Sequence, residues 1–201
     1  MERSGRRRAI VWQVALFEIG LFGLACLLGR LLGSSPLASL RATWPGILWG
    51  IASAVPPILA MLWSLRARAA PFPRLRREVY SRVIPLFAGC SIPDLAIVSA
   101  VAGVGEETLF RGLIQQGLAR SMGPLAGLLL ASAIFGLLHL VTPAYALLAG
   151  IFGAYLGWLA VATGNLLVPI LAHALYDLAA LLCLLRRRAP TSSPSLPCRS
   201  S

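Results

Sequence analysis

Three ionisable residues, Glu106, Glu107 and Arg111, stand inside an otherwise apolar run over residues 92–118. A carboxylate or guanidinium at the centre of a membrane helix costs roughly 2.5–3.5 kcal/mol, so such a cluster persists only where it serves a purpose. Glu107 and Arg111 are four apart, with the acid nearer the N-terminus, and on a helix they stack on one face and neutralise each other. Glu106 points about 100° away around the axis and must find its partner on another helix. The chain has two histidines, His139 and His173, both in apolar stretches. Phe135 precedes His139 by four and Asp177 follows His173 by four, so each pair shares a helix face. Asp177 can therefore ligate alongside His173 or set its tautomer from behind.

Glu106, His139, His173 and Asp177 together supply two nitrogens and two carboxylates. That set suits a divalent metal such as zinc with one position open for water. Water on such a metal ionises near pH ~7 and becomes a nucleophile, and Glu106 could otherwise act as general base on water directly. Either route is hydrolysis. A single histidine in a membrane helix is ordinarily a packing or hydrogen-bonding residue, but two of them with three buried acids and an arginine describe a site.

The elements that must position these groups are membrane helices. The 201 residues are 58% hydrophobic and 12% charged, about half the ~25% charge of soluble domains, with a mean hydropathy of +0.79. The expected fold is all-α, a polytopic bundle of about six transmembrane helices, in one domain over residues 1–188. The motif-bearing core is 92–185, and the serine- and proline-rich tail 189–201 is expected to be disordered. The spans are read at 10–32, 44–65, 92–118, 124–141, 144–163 and 165–185, with Pro56 and Pro57 kinking the second. Residues 83–91, bracketed by Pro85 and Pro93, are too short to cross and form an interfacial segment. Gly150, Gly153 and Gly157 are spaced for close helix packing. Glu18 interrupts the first span and should face the bundle interior, paired with a polar group.

All 18 basic residues are arginines, and they give a net charge of +11. In so apolar a chain they orient the protein and meet anionic lipid heads, and nucleic acid is not an expected partner. With the N-terminus in the cytoplasm, fourteen arginines fall inside, Arg30, Arg41 and Arg120 outside, and Arg111 in the membrane. Both termini are thus cytoplasmic in an integral protein, read as one of a bacterial plasma membrane. The basic N-terminal segment before a long apolar run reads as an anchor rather than a cleaved signal. Cys26, Cys90, Cys183 and Cys198 lack metal or redox spacing, and Cys198 near the C-terminus lacks the aliphatic residues of a prenylation box. If the fourth and sixth spans start at one face, His139 lies 15 residues deep and His173 only 8. That offset of about 10 Å must be removed by tilt or by a recessed start.

Glu106-Glu107-x-x-x-Arg111, then Phe135-x-x-x-His139, then His173-x-x-x-Asp177, in that order on successive helices, resembles the CPBP intramembrane proteases. These are relatives of the CAAX prenyl endopeptidases, also called the Abi family. The resemblance covers about residues 92–185. It implies an intramembrane endopeptidase whose water is activated by Glu106 and His139, with His173 and Asp177 as metal ligands or oxyanion stabilisers. Glu107 and Arg111 would orient those groups, and the substrate would be a peptide or protein, prenylated in the best-known relatives. Where those relatives usually carry asparagine this chain has Asp177. An ionised carboxylate donates nothing to an oxyanion but ligates a metal well, so the substitution favours metal. The alternative that the resemblance admits is a non-catalytic membrane binding or immunity protein that keeps the fold. A proton or ion carrier built from the same buried groups would be expected to show an inverted repeat, and none is apparent.

Overall fold

Prolines and hydroxyl residues punctuate the apolar runs and set where helices start. The computed structural model describes residues 2–187, with side chains from Ala9 onward. Among these residues there is no strand. The elements are α1 (Glu2–Leu31), α2 (Trp44–Ser64), α3 (Phe72–Glu78), α4 (Ile84–Phe87), α5 (Ile92–Glu107), α6 (Gln116–Met122), α7 (Pro124–Leu138), α8 (Pro143–Thr163) and α9 (Leu167–Arg186). A π-helical turn, Val79–Val83, joins α3 to α4, and a second, Thr108–Gln115, joins α5 to α6. Thr43 and Thr142 cap α2 and α8 by accepting from Gly46 N at 3.2 Å and Tyr145 N at 3.1 Å. At α5, Ser91 and Asp94 form a reciprocal capping box. Each of these helices carries proline in its first turn, where the missing N–H costs nothing.

The all-helical membrane bundle expected from the sequence is the fold observed. Four helices, α1, α2, α8 and α9, are long and apolar enough to cross a membrane, and the bent pair Phe72–Phe87 and Ile92–Met122 makes five if taken as one span. The pair turns through 110° at the break that holds Gly89, so residues 83–91 end one helical arm rather than lie as a separate segment. The helix expected over 124–141 stops at Leu138, 15 residues after it starts. Pro56 and Pro57 lie inside one continuous helix. The arginine side chains at 3–8, Arg188, the tail 189–201 and Cys198 lie outside the described residues.

Small residues decide the crossings. α2 packs on α9 with Gly50 against Leu171, and α7 on α8 with Gly136 against Ala146 O and Gly150. α5 is sandwiched between α1 and α9, where Gly105 and Gly103 admit the two neighbours. Of the three spaced glycines in α8, Gly150 and Gly153 face α7, at Gly136 and Phe135. Gly153 also clears room for the side chain of Arg111, and Gly157 for that of Gln115. Outward faces carry Trp12, Leu16, Leu48, Leu129, Leu147 and Trp158, the exposed apolar surface expected against lipid.

The loops gather at two ends. Asn165 clamps the backbone of Arg41, accepting from its N at 3.0 Å and donating to its O at 2.9 Å. Leu166 N reaches Ser39 O at 3.1 Å, and Arg120 Nη2 donates to Ser34 Oγ at 2.6 Å. The loop 32–43, the end of α6 and the α8–α9 turn therefore share one end. At the other, Arg76 Nη1 donates to Ser64 O and Ala67 O at 2.9 and 2.7 Å, closing the C-terminus of α2.

Candidate active site

The two acids at the end of α5 face different partners, as their spacing requires. Glu107 is fully buried, and its Oε1 accepts from Arg111 Nη1 at 3.2 Å while Arg111 Nε stands 3.2 Å from Oε2. The fork is completed across the bundle, where Arg111 Nη2 donates to Gly153 O at 2.8 Å. The guanidinium lies 4.7 Å over the Phe135 ring and 5.7 Å from that of Phe110. A Cβ at Gly153 would stand 3.2 Å from Nη2, so the missing side chain admits the arginine. Gln115, further along the same π-helical stretch, repeats the device by donating to Gly157 O at 3.1 Å.

Glu107 does more than neutralise Arg111. Its Oε1 also accepts from Nδ1 of His173 on α9 at 2.8 Å, which fixes that ring's orientation and turns Nε2 to the other side. His139 is oriented in the same sense by a different group. It caps the C-terminus of α7, its Nδ1 donates to Phe135 O at 2.8 Å, and its ring stacks on Phe135 with centroids 4.4 Å apart. Phe152 meets His173 edge to face at 5.5 Å. Both imidazoles thus turn Nε2 toward Glu106, whose Oε2 lies 3.8 Å from that of His139 and 4.0 Å from that of His173. Asp177 Oδ2 stands 3.5 Å from His173 Nε2. Glu107 therefore stands behind the His173 ring at Nδ1, and Asp177 stands at the opposite nitrogen, facing the centre.

All six residues singled out in the sequence, Glu106, Glu107, Arg111, His139, His173 and Asp177, come together from α5, the π-helical stretch, α7 and α9. The depth offset of the two histidines disappears. Gly123, at φ +89°, turns the chain sharply, and Gly127 lets α7 pack back on Ala119 of α6, so α7 is short and ends level with Glu106. Glu106 Oε2 is buried without a hydrogen-bond partner. Its burial is uneven with that of its neighbours, since the side chains of Glu106, His139 and Asp177 are 12%, 30% and 32% exposed and His173 only 4%. An opening on the His139 and Asp177 side follows.

Two imidazole Nε2 atoms and two carboxylates gather at this centre, a set of groups that can hold water or a cation. The chemistry of the donor set therefore fits a divalent metal, and His173 has the carboxylate behind it that metal-bound imidazoles use. The separations of 3.5–4.0 Å are wider than the ~3.3 Å edge of a tetrahedral zinc site with ~2.0 Å bonds. Among the described residues no three His, Cys, Asp or Glu side chains close into a ready-made cage.

Sequence spacing did not disclose the π-helical stretch, the role of Gly153 as acceptor for Arg111, or the approach of Glu18 to this centre through Gly105. Glu18 is buried, as expected of an acid in a span, but its Oε2 has no partner. No curated protein and no solved structure matches the chain. The family model for type II CAAX prenyl endopeptidase Rce1-like proteins matches residues 88–179, the interval that holds all six residues of the centre. Over this segment, 92 of the 201 residues, the chain is similar to the type II CAAX prenyl endopeptidase Rce1-like proteins.

Proposed function

We propose that this protein is an intramembrane endopeptidase that hydrolyses a peptide bond at the centre bounded by Glu106, His139, His173 and Asp177. The observation that carries this reading is the convergence of two imidazole Nε2 atoms on the buried, unpartnered Oε2 of Glu106. Water lodged there gives a hydrogen to Glu106 as it attacks the scissile carbonyl, and Glu106 returns that proton to the leaving amine. His139 Nε2 orients the water from the more open side. His173, held by Glu107, which Arg111 in turn neutralises, keeps the opposite wall rigid. The residues that would hold a divalent metal such as zinc are Glu106, His139, His173 and Asp177, and a bound metal would supply a more acidic water and a polarised carbonyl. Asp177 has no hydrogen to donate when ionised, which supports the metal-assisted form over a purely glutamate-based one. A membrane peptide or protein is the substrate class, with a prenyl group as in the family's name, and a bacterial plasma membrane the proposed setting.

Purified full-length protein is expected to cleave a membrane-borne peptide and to retain about one divalent metal per chain. Glu106→Ala and His139→Ala should each reduce cleavage by about 10²-fold or more while the protein stays folded. Unchanged turnover in either variant would remove the assigned role. Cellular function preserved by the Glu106→Ala protein would point to the binding or immunity alternative.

A further inference from the structure

The carbonyl oxygen of a scissile bond gains negative charge as water attacks, and a hydrolytic centre works best with a hydrogen-bond donor aimed at that oxygen. The groups described so far are engaged elsewhere. Arg111 is held by Glu107 and by Gly153 O, both imidazoles turn Nε2 toward Glu106, and an ionised Asp177 has no hydrogen to give. One phenol beside the centre is not engaged.

Tyr145 stands in the first turn of α8, just past the turn that follows His139. Its backbone N donates to Thr142 Oγ1 at 3.1 Å, which fixes the start of the helix. Spacings of four and three put Tyr145, Ala149 and Phe152 on one helix face. Ala149 packs against the cluster that holds Phe135, and Phe152 meets His173 edge to face at 5.5 Å, so this face looks onto the centre. Tyr145 is its member nearest the His139–Thr142 turn, and its hydroxyl lies within electrostatic reach of Asp177 and of Glu106. The residue is partly buried, and among the described residues its hydroxyl makes no hydrogen bond. Tyr176 on α9 differs in one respect. Its ring lies 4.5 Å from that of Phe152, but of the two carboxylates it reaches Asp177 alone.

We infer that Tyr145 donates the hydrogen bond that stabilises the carbonyl oxygen during hydrolysis, a role that rests on the hydrolase reading. A phenol titrates ordinarily near pH ~10, so at neutral pH it has the hydrogen that Asp177 lacks. As the water oxygen bonds to the carbonyl carbon, the π pair of the C=O bond moves onto its oxygen, which accepts from Tyr145 Oη. That pair returns when the C–N bond breaks and Glu106 passes its proton to the leaving nitrogen. Tyr145 keeps its own hydrogen throughout, and the balance needs nothing beyond water and the peptide.

The test follows cleavage of a membrane-borne peptide by full-length protein in micelles, alongside binding of its phosphinate analogue, which carries a tetrahedral anionic group in place of the scissile amide. Tyr145→Phe removes one oxygen and leaves the ring. It should lower kcat by about 10²-fold with KM within about twofold, and weaken phosphinate binding by about tenfold or more, with the thermal midpoint unchanged. Tyr176→Phe should alter none of these. Unchanged kcat in Tyr145→Phe overturns the inference, as does a loss confined to KM or an equal loss in the two variants. Failure of the hydrolase reading looks different, because the wild type then cleaves nothing and the phosphinate decides alone. Weaker phosphinate binding by Tyr145→Phe than by the wild type keeps an oxyanion donor at this centre, whereas equal affinity, or no binding by the wild type, overturns it.

Discussion

Arg111 is 2% exposed and Glu107 fully buried, so each is tolerable only while the other is present. Removing one partner of a buried ion pair typically costs about 3–5 kcal/mol, because the survivor keeps its desolvation penalty. Arg111→Ala should lose stability on that scale, measured by denaturation in micelles. Replacing both, as Glu107→Gln with Arg111→Met, should recover most of the loss, since neither side then carries an unmatched charge. Activity should not recover with it. The amide introduced by Glu107→Gln holds His173 less firmly than a carboxylate, and loss of such support behind a functional imidazole commonly costs about 10–100-fold. Full activity in the stable double variant would reduce the pair to a structural device. The pairing itself was legible in the sequence, because four-residue spacing on a helix forces it. Its third member was not, since the 66 residues between Glu107 and His173 carry no local periodicity that could announce the contact.

At the scale of elements, the π-helical stretch Thr108–Gln115 and a short α7 create the site. A π turn takes one residue more than an α turn and is found preferentially at functional positions. Here it aims Arg111 and Gln115 at successive glycine carbonyls of α8. Apolar run lengths disclosed that helices exist and roughly where, which is why α1, α2, α8 and α9 agree with the expected spans. They carried no information on the widened turn or on the break at Leu138, because both are settled by contacts with other helices. Glycines in α8 were likewise readable as small but not as making way for polar side chains. Gly105 offers the sharpest check at this scale. Gly105→Ala places a methyl against the backbone oxygen of Glu18, and the helices can accept it only by parting. The expected cost is about 1–3 kcal/mol with a concurrent fall in turnover, because the same shift moves Glu106. Gly20→Ala, where nothing lies within 4 Å, is the matched control and should change neither.

For the whole molecule the question is which end faces the cytoplasm. Hydrogen bonds alone sort the connections into two sets: the loop 32–43, the end of α6 and the turn at Asn165 on one side, and the C-terminus of α2 with α3 on the other. Arginine numbers differ between those ends. Arg30, Arg41 and Arg120 lie at the first, whereas Arg66, Arg68, Arg74, Arg76, Arg77, Arg82, Arg186 and Arg187 belong to segments flanking the second. Positive residues are retained on the cytoplasmic side, so the second end should be the inner one. Two independent properties, contact and charge, thus divide the connections in the same way. For that to hold, α7 must return the chain across the bundle even though it is only 15 residues long, about 22 Å at ~1.5 Å per residue. A helix that short meets the lipid core of about 30 Å only if part of its path is completed by the His139–Thr142 turn sheltered inside protein. Reporter fusions after Leu65 and after Arg187 should therefore both read cytoplasmic, and one after Gly123 external. If the Gly123 fusion reads cytoplasmic, the bent arm Phe72–Met122 does not cross, and the division of the connections by charge fails at that turn.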